Sequence, residues 1–314
     1  MQTARDVLTP DALSMLQAIA AAGSFAAAAR AMGMVPSALT YRVRQIEDAL
    51  DVLLYDRSSR QAKLTPAGAE LLREGGRLLN EIDAVANRVK RVATGWESQL
   101  TIAIDTIISK PTVMELCESF FSLSPPTRIR LRDETLAGTL EALTSGQADL
   151  AIGVGQDAAT HTGVHTKPIG SSAFGYCVAP HHPLAQAPEP LSDELIQKHR
   201  AVAVADSVQR GSGMTFGLLG GQDVFTVASM HAKVDAQLRG MGGGYLPLCM
   251  ANPYIDAGHL VLKKTERPYR QIPISYAWRQ TKGTSKGRAL DWWLQQLESA
   301  ATRAALLEQH GRRV

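Results

Sequence analysis

Residues 24–33 (SFAAAARAMG), 36–47 (PSALTYRVRQIE) and 53–68 (LLYDRSSRQAKLTPAG) contain the pattern that decides the fold of the first part of the chain. In the first block, apolar and alanine side chains recur at helical spacing after Ser24, whose hydroxyl can cap a helix. The second block opens with Pro36, which is tolerated at the first helical position because the N–H that it lacks would be unpaired there. We therefore predict one helix in each of these two blocks, joined by a short turn.

A further helix is predicted just before this stretch, over residues 11–22. Leu13, Leu16 and Ile19 share one face of it, and Gly23 then ends it. The three helices together predict a helix-turn-helix.

The third helix, which starts at Pro36, presents two different faces. Leu39, Val43 and Ile46 form an apolar face that can pack on the other helices. Side chains on the opposite face are polar or cationic and could hydrogen-bond phosphates and base edges in the major groove. This polar face consists of Ser37, Thr40, Tyr41 and Arg44. Because most exposed helix faces are merely solvated, the DNA-binding interpretation depends on the segment that follows.

Residues 53–64 predict a short hairpin directly after the third helix. Its tip carries the cations Arg57, Arg60 and Lys63. Cations on such a tip would contact phosphates and supply the salt-dependent, sequence-independent part of DNA binding. The hairpin is therefore interpreted as the wing of a winged helix-turn-helix, and base discrimination is left to the third helix.

A long helix with a heptad seam follows, where Thr65 caps the helix and Pro66 takes its first position. Apolar or small side chains recur with alternating four- and three-residue spacing for about three heptads. The seam consists of Leu71, Gly75, Leu78, Ile82, Val85, Val89 and Val92. We expect residues 67–92 to pair with their copy in a second subunit; packing on the C-terminal part of the chain is the alternative.

In order and spacing, these segments resemble the DNA-binding part of the LysR family of transcriptional regulators, whose dimers commonly pair into tetramers. The resemblance implies that residues at the start of the third helix enter the DNA groove. By position these are Val35, Pro36, Ser37, Thr40 and Tyr41, with Arg57 in the wing. Ser24, Arg44, Arg60 and Lys63 complete the predicted DNA-contacting set. The chain departs from the family at Val35-Pro36, where a small hydroxyl residue followed by glutamine is common, so an unusual base preference is expected.

The rest of the chain alternates strands and helices. Residues 100–154 read as strand, helix, strand, helix, strand, which predicts parallel strands covered by helices. A second series follows over residues 173–248, and a late strand at 274–279 with a terminal helix near 286–308 can return to the first lobe. We predict an α/β effector domain with two Rossmann-like lobes, similar to the type 2 periplasmic-binding-protein-like domain of the same family.

The predicted domain organisation follows from these patterns. It comprises a winged helix-turn-helix over residues 1–66, a dimerisation helix over 67–96 and an effector domain over 97–314, with lobe I at about 97–167 and 272–308 and lobe II at about 168–271.

Polar residues at strand ends and helix starts mark the expected ligand cleft, because ligands of open α/β sheets bind beyond the carboxyl ends of the strands. Helix N-termini at this place favour an anionic oxygen, with Lys110 or Lys233 available to assist. Carboxylates there would instead accept hydrogen bonds from hydroxyls, so an aromatic or phenolic compound and a small organic acid both remain open. The predicted effector-binding residues are Asp105, Thr106, Ser109, Glu134, Thr135, Asp206, Ser207, His231 and Lys233.

Composition and the remaining motifs argue against other classes of protein. The 33 basic and 30 acidic side chains leave a net charge of only +3, so affinity for DNA must come from local placement. No membrane span or export signal is recognised, and the three widely spaced cysteines suggest reduced thiols, so a cytoplasmic protein is expected. No motif frames a cofactor loop, a metal site or an activated nucleophile, so neither cofactor, metal nor catalysis is expected.

The whole chain therefore predicts a sequence-specific, dimeric DNA-binding regulator controlled by a small molecule held between two lobes. A small-molecule receptor of the periplasmic-binding type, without a DNA role, is the alternative. It would explain only the C-terminal part of the chain and would require an export signal.

Overall fold

The computed structural model describes residues 3–56, 63–155, 161–208, 216–267, 270–279 and 286–310, and only the backbone of residues 87, 88, 90, 91 and 270. By its internal contacts the chain forms two compact units, Met1–Arg88 and Val89–Val314. They are called the N-terminal and the C-terminal unit below.

Helices and one small hairpin form the described part of the N-terminal unit, and its last helix runs on into the second unit. The elements are α1 (Ala4–Val7), α2 (Pro10–Ala22), α3 (Phe25–Ala31), α4 (Pro36–Leu50), β1 (Tyr55–Asp56), β2 (Lys63–Leu64) and α5 (Pro66–Thr94). The strands β1 and β2 pair antiparallel, with Asp56 opposite Lys63. The predicted helices and the hairpin are confirmed, and α1 is an addition to them.

Local chemistry sets these helix boundaries. The Thr9 hydroxyl accepts a hydrogen bond from the Ala12 N–H (3.3 Å), and the Ser24 hydroxyl accepts one from the Ala27 N–H (3.2 Å), so each caps the helix that follows it. Gly23 ends α2 in the left-handed region at φ +67°, which costs glycine nothing. Short-range effects of this kind are the reason that the sequence pattern located the helices.

The core of the N-terminal unit lies between α2, α3 and α4. Met15, Ile19 and Leu39 are fully buried in it. Ala28 and Ala29 are equally buried, and their small side chains let α3 approach its neighbours closely. Burial of these apolar surfaces is the main force that holds the three helices together.

A buried carboxylate attaches the hairpin to α4. Glu47 is 4% exposed, and its Oε1 accepts hydrogen bonds from the backbone N–H groups of Leu54 (2.8 Å) and Tyr55 (3.4 Å). The Tyr55 hydroxyl donates to the Leu16 carbonyl (3.4 Å), and burial together with the charge of Glu47 raises the pKa of Tyr55 to about 12. The start of the hairpin is thereby fixed to the helix that precedes it.

The C-terminal unit combines strands and helices in the predicted alternation. Its strands are β3 (Gln99–Asp105), β4 (Arg128–Glu134), β5 (Leu150–Val154), β6 (Val164–Val178), β7 (Ala201–Val204), β8 (Val224–Val227), β9 (Gly244–Pro247), β10 (Val261–Lys263) and β11 (Arg270–Arg279). Its helices are α6 (Lys110–Phe121), α7 (Ala137–Thr144), α8 (Asp193–Gln197), α9 (Met230–Leu238), α10 (Leu248–Asp256), α11 (Arg288–Glu298) and α12 (Ala300–Glu308).

One mixed sheet connects most of these strands. Its order is β10-β6-β11-β5-β3-β4, with β9 also paired to β6. β3 runs parallel to β4 and β5, as predicted, whereas β11 runs antiparallel to both β5 and β6. β7 and β8 form a separate parallel pair. The long strands β6 and β11 therefore pass from one lobe of the unit to the other.

Each lobe has its own hydrophobic core. In the first lobe, Ile102, Phe120 and Trp293 are fully buried among the strands β3 to β5 and the helices α6 and α11. In the second lobe, Cys177 and Leu246 are fully buried beside α9 and α10. Two cores joined by two shared strands make the two-lobed architecture that the strand–helix alternation predicts.

Two predicted elements differ from the observed ones, and α10 is an addition to the prediction. The strand expected near 173–179 is the end of a 15-residue strand, β6, because its earlier residues pair with β11 far along the chain. The single terminal helix is broken at Ser299, whose extended backbone ends α11 and whose hydroxyl caps α12. α10 was not predicted, because it follows Pro247 directly and contains Pro253, residues that normally interrupt a helix pattern.

Cys117, Cys177 and Cys249 are free thiols, the first two buried and the third half-buried. In the part of the chain that the structure describes, no single helix is long and apolar enough to cross a membrane. The helices α2 and α3 reach that length and apolar character only when they are taken together, and they are bent by 119° relative to each other.

Candidate nucleic-acid interface and ligand cavity

The outward face of α4 carries the side chains expected to contact DNA. Ser37, Tyr41 and Arg44 are exposed, and Tyr41 keeps 63% of its accessible surface. Thr40 is half-buried, and its hydroxyl donates to the Pro36 carbonyl (2.9 Å), so it remains able only to accept a hydrogen bond from a partner. The face thus carries phenol, hydroxyl and guanidinium groups that could contact DNA.

The start of α4 is exposed and uncapped. Val35 occupies the capping position without a side-chain hydrogen bond and is 63% exposed, and Pro36 follows at the first helical position. The backbone N–H of Ser37 therefore lies in the first turn of a helix, where the helix dipole favours an anion such as a phosphate. At this point the departure from the family pattern leaves an apolar surface beside a backbone donor.

The remaining predicted DNA contacts lie in three different places. The Ser24 hydroxyl is half-buried and already caps α3. Lys63 is exposed on β2. Arg57 and Arg60 lie outside the described residues.

The heptad seam on α5 separates into two parts. Leu71 packs against the core of the N-terminal unit, and a Cβ on Gly75 would lie 2.8 Å from Leu13 Cδ2, so these two positions are used within the chain. The later positions are open, with exposures between 46% and 85%. This exposed stripe consists of Leu78, Ile82, Val85, Val89 and Val92. The seam that is available to a partner is therefore shorter than the predicted one.

A cavity of about 640 Å³ lies in the C-terminal unit, where the end of β3 and the start of α7 face α9 and β11. Most of its wall is apolar, and the apolar side chains include Ile107, Leu136, Leu140, Phe174, Val204, Phe216, Met230, Ile272 and Ile274. Of the predicted effector-binding residues, Asp105, Thr106, Thr135 and Lys233 line it. A pocket of this size with few polar groups suits a small, largely apolar molecule.

The other predicted effector residues do not line the cavity. Ser109 is fully buried, caps α6 by accepting from the Thr112 N–H (3.2 Å) and also bonds the Gln309 carbonyl. His231 is exposed in the first turn of α9, close enough to Lys110 and Asp133 of the first lobe to interact with their charges. Both residues lie at a helix boundary, as the sequence pattern predicts. Ser109, however, caps a helix, and His231 is exposed to solvent.

Glu134, Asp206 and Ser207 instead tie the two lobes together. The Ser207 hydroxyl donates to Glu134 Oε2 (2.7 Å) and accepts from the Thr135 N–H (2.8 Å). The Gly138 N–H donates to Asp206 Oδ1 (3.1 Å). Only glycine fits at position 138 in this arrangement, because a Cβ there would lie 2.0 Å from Ser207 Oγ. This interlobe link is made beside Thr135, which lines the cavity.

Asp105 organises the cavity wall from within. Its Oδ1 accepts from the Ile107 N–H (2.9 Å), and its Oδ2 accepts from the Leu136 N–H (2.9 Å) and the Thr139 hydroxyl (3.3 Å). Leu136 has φ +54° and ψ −123°, a conformation that is strained for a residue with a side chain. Asp105 thus holds a strained wall residue in place.

The buried position of Asp105 predicts a pH effect. Burial, opposed by its hydrogen bonds and reinforced by the charge of Asp206, raises the pKa of Asp105 from 3.8 to about 7. The folded state holds the proton of Asp105 more tightly than the unfolded state does. The contribution of this proton to the free energy of unfolding is therefore complete below pH 4 and is lost as the pH rises to 7. Asp105→Asn should remove that loss, so the wild-type protein should become less stable relative to the variant between pH 4 and 7.

Tryptophan fluorescence during thermal unfolding measures this effect, since Trp96, Trp278, Trp292 and Trp293 are the only tryptophans and all lie in the C-terminal unit. A difference in melting temperature between the two proteins that is the same at every pH would contradict the prediction.

Two cations line the cavity wall, Lys233 and Arg267, and the Arg267 guanidinium is already paired with Asp193 (2.6 Å). Lys233 lies in the first turns of α9, is 6% exposed, and burial lowers its pKa to about 8. The residues that complete the wall are not marked by the sequence pattern; they include Phe174 on β6, Tyr245 on β9 and Gln271 on β11. They come from strand interiors, where no turn or cap distinguishes them. Among the described residues, no three histidine, cysteine or acidic side chains come together as metal ligands.

Comparison with known proteins agrees with both units. The family model "Bacterial regulatory helix-turn-helix protein, lysR family" matches residues 10–69, and the model "LysR substrate binding domain" matches residues 93–302. The second match alone covers more than half of the chain.

Relatives and solved structures match along nearly the full length. The uncharacterized HTH-type transcriptional regulator YeeY of Escherichia coli K12 is 35% identical over 90% of this chain and 91% of its own. The probable HTH-type transcriptional regulator YhaJ of the same strain is 35% identical over 92% of this chain and 96% of its own. Full-length CbnR complexed with its target DNA shares the fold, with a TM-score of 0.56 and 17% identity over 93% of this chain and 99% of that one. The chain therefore belongs to the LysR family of transcriptional regulators, with a helix-turn-helix DNA-binding domain followed by a substrate-binding domain.

Proposed function

We propose that α4 enters the major groove of the operator and that its residues 35–44 select the bases. The observation that carries this proposal is the uncapped, exposed start of α4 beside the polar side chains of Ser37 and Tyr41. A solved regulator of the same fold has been captured on its target DNA, which supports this use of the domain. Lys63, and the wing arginines Arg57 and Arg60, would contact the phosphates.

A gel-shift titration tests this proposal directly. The full-length protein is titrated against its own upstream intergenic DNA and against a scrambled duplex of equal length, at two salt concentrations. We expect a saturable shift that survives an excess of the scrambled competitor, and affinity that falls steeply with salt for both duplexes. Equal affinity for the two duplexes would refute sequence-specific binding.

Two variants separate base reading from phosphate contact. Tyr41→Ala should lower the affinity for the native site about tenfold and leave the affinity for scrambled DNA unchanged. Lys63→Ala should weaken binding to both duplexes alike and reduce the salt slope by about 1, because one phosphate contact is lost. Fluorescence anisotropy with both duplexes measures the four affinities. The assignment is wrong if the two variants show the same ratio between native and scrambled DNA.

We infer that the exposed stripe on α5 pairs two subunits. A stripe of five apolar residues on one helix face is costly in water and matches the a and d spacing of a two-stranded coiled coil. Pairing would give two α4 helices related by a two-fold axis, which suits an operator with two half-sites. Dimers of this kind would pair further into tetramers.

We propose that the cavity of the C-terminal unit binds the small molecule that controls DNA binding. Its apolar wall fits an aromatic compound or an organic acid. The proposed role of the cavity is binding alone. A ligand seated against Leu136 would act on the same segment that Ser207 and Asp206 hold through Thr135 and Gly138. Binding would therefore change the free energy of the interlobe link and shift the population of lobe arrangements.

A further inference from the structure

Lys233 places a positive charge in a wall that is otherwise mostly apolar. Its side chain is 6% exposed and lines the cavity. Among the residues that the structure describes, none forms a hydrogen bond or an ion pair with its ammonium group. A Cβ on Gly244 would lie 3.3 Å from Lys233 Cε, so the absence of a side chain at that position leaves the room that the lysine stem occupies. An ammonium group in this position loses most of its hydration and gains no partner among the described residues.

Lys263, a second buried lysine of the same unit, has a structural role and allows a comparison with Lys233. Lys263 is also 6% exposed, but its ammonium donates to the carbonyls of Ala185 (3.2 Å) and Ala187 (3.0 Å). It also lies 3.2 Å from Glu189 Oε1. Lys263 is therefore fully partnered within the protein, and Lys233 differs from it in this respect.

Neighbouring acidic groups do not neutralise Lys233. Burial raises the pKa of Cys177 to about 12, so this group, which is close enough to interact with the lysine, remains a neutral thiol. The Asp105 oxygens already accept three hydrogen bonds from Ile107, Leu136 and Thr139. Among the described residues no carboxylate is paired with Lys233, which leaves its charge available to a molecule that enters the cavity.

We propose that Lys233 binds the carboxylate of an otherwise apolar, ring-sized effector. The side chains of Phe174, Phe216 and Ile274 provide a surface for the apolar body. Thr135 lines the same wall, and a threonine hydroxyl is able to donate a further hydrogen bond. The inference rests on the proposed function of the cavity, and it selects an organic acid over an uncharged phenol as the effector class.

Benzoate and benzamide test this inference, because the two probes have the same shape and differ in charge. Thermal unfolding of the full-length protein is followed by tryptophan fluorescence with each probe at millimolar concentrations. We expect benzoate to raise the melting temperature of the wild-type protein by several degrees more than benzamide does. In Lys233→Met this difference should disappear, with at least a tenfold weaker benzoate affinity, about the loss expected for one charge-assisted hydrogen bond.

Lys263→Met is the matched control, since it removes a buried lysine that already has partners. Without any probe, Lys233→Met should melt at a higher temperature than the wild type, whereas Lys263→Met should melt at a lower one and keep the benzoate effect. Equal effects of benzoate and benzamide on the wild type would overturn the carboxylate assignment and leave the cavity as an effector site. No effect of either probe on any of the proteins, with Lys233→Met no more stable than the wild type, would overturn both.

Discussion

Replacing Ile82 with glutamate should convert the dimer into a monomer and lower the affinity for the operator about 100-fold or more. Ile82 lies in the middle of the exposed stripe on α5, between Leu78 and Val85, and is 48% exposed in the single chain. In a two-stranded coiled coil of either orientation this position is buried in the seam, so the substitution would place a carboxylate from each subunit in an apolar interface. A monomer contacts one half-site only and loses the gain from simultaneous engagement of both.

Sedimentation equilibrium and fluorescence anisotropy with operator DNA measure the two effects on the same protein. Asn80→Glu is the matched control, because it adds the same charge on the opposite side of α5, about 160–200° around the helix from the seam. The control should remain dimeric with unchanged DNA affinity. A dimeric Ile82→Glu protein would show that the exposed stripe is not the subunit interface.

Replacing Glu47 with alanine should destabilise the N-terminal unit by about 2–4 kcal/mol, since the buried N–H groups of Leu54 and Tyr55 lose their acceptor. For a domain of this size, such a loss lowers the melting temperature by ~10 °C or more. Because Glu47 also holds the start of the hairpin against α4, DNA affinity should fall at temperatures where the domain is still folded.

Calorimetry of the full-length protein measures this change, and the transition of the N-terminal unit is the one that tryptophan fluorescence does not report. Asp48→Ala is the control, as it removes a neighbouring carboxylate that is exposed. Glu47→Gln keeps one acceptor oxygen and should give an intermediate loss. Equal melting temperatures for Glu47→Ala and Asp48→Ala would contradict the structural role of the Glu47 carboxylate.

The sequence predicted the architecture of the N-terminal unit almost completely. Caps such as Thr9 and Ser24, the glycine stop at Gly23 and the apolar face of α4 act over one or two helical turns. Local interactions of this range can be recognised from the order of the residues. The heptad seam was recognised in the same way, but only the fold shows that Leu71 and Gly75 are consumed inside the unit and that the available stripe begins at Leu78.

The ligand cavity depended on tertiary structure to a much larger extent. Sequence reasoning found polar residues at strand ends, and Asp105, Thr106, Thr135 and Lys233 do line the cavity. It could not separate them from Ser109, which caps a helix, or from Ser207, which links the lobes, because all are polar residues that follow a strand. The distinction depends on which partner each side chain meets.

Those partners are distant in the chain. Ile272 on β11 pairs with Ser172 on β6, and Ser207 bonds Glu134, so the wall and the interlobe link are assembled from segments separated by about seventy to a hundred residues. Such contacts are chosen by the packing free energy of the whole unit and leave no local pattern. Helix placement and the exposed polar face of α4 could thus be recognised from the order of the amino acids, whereas the shape of the cavity and the isolation of Lys233 within it were decided only when distant strands came together.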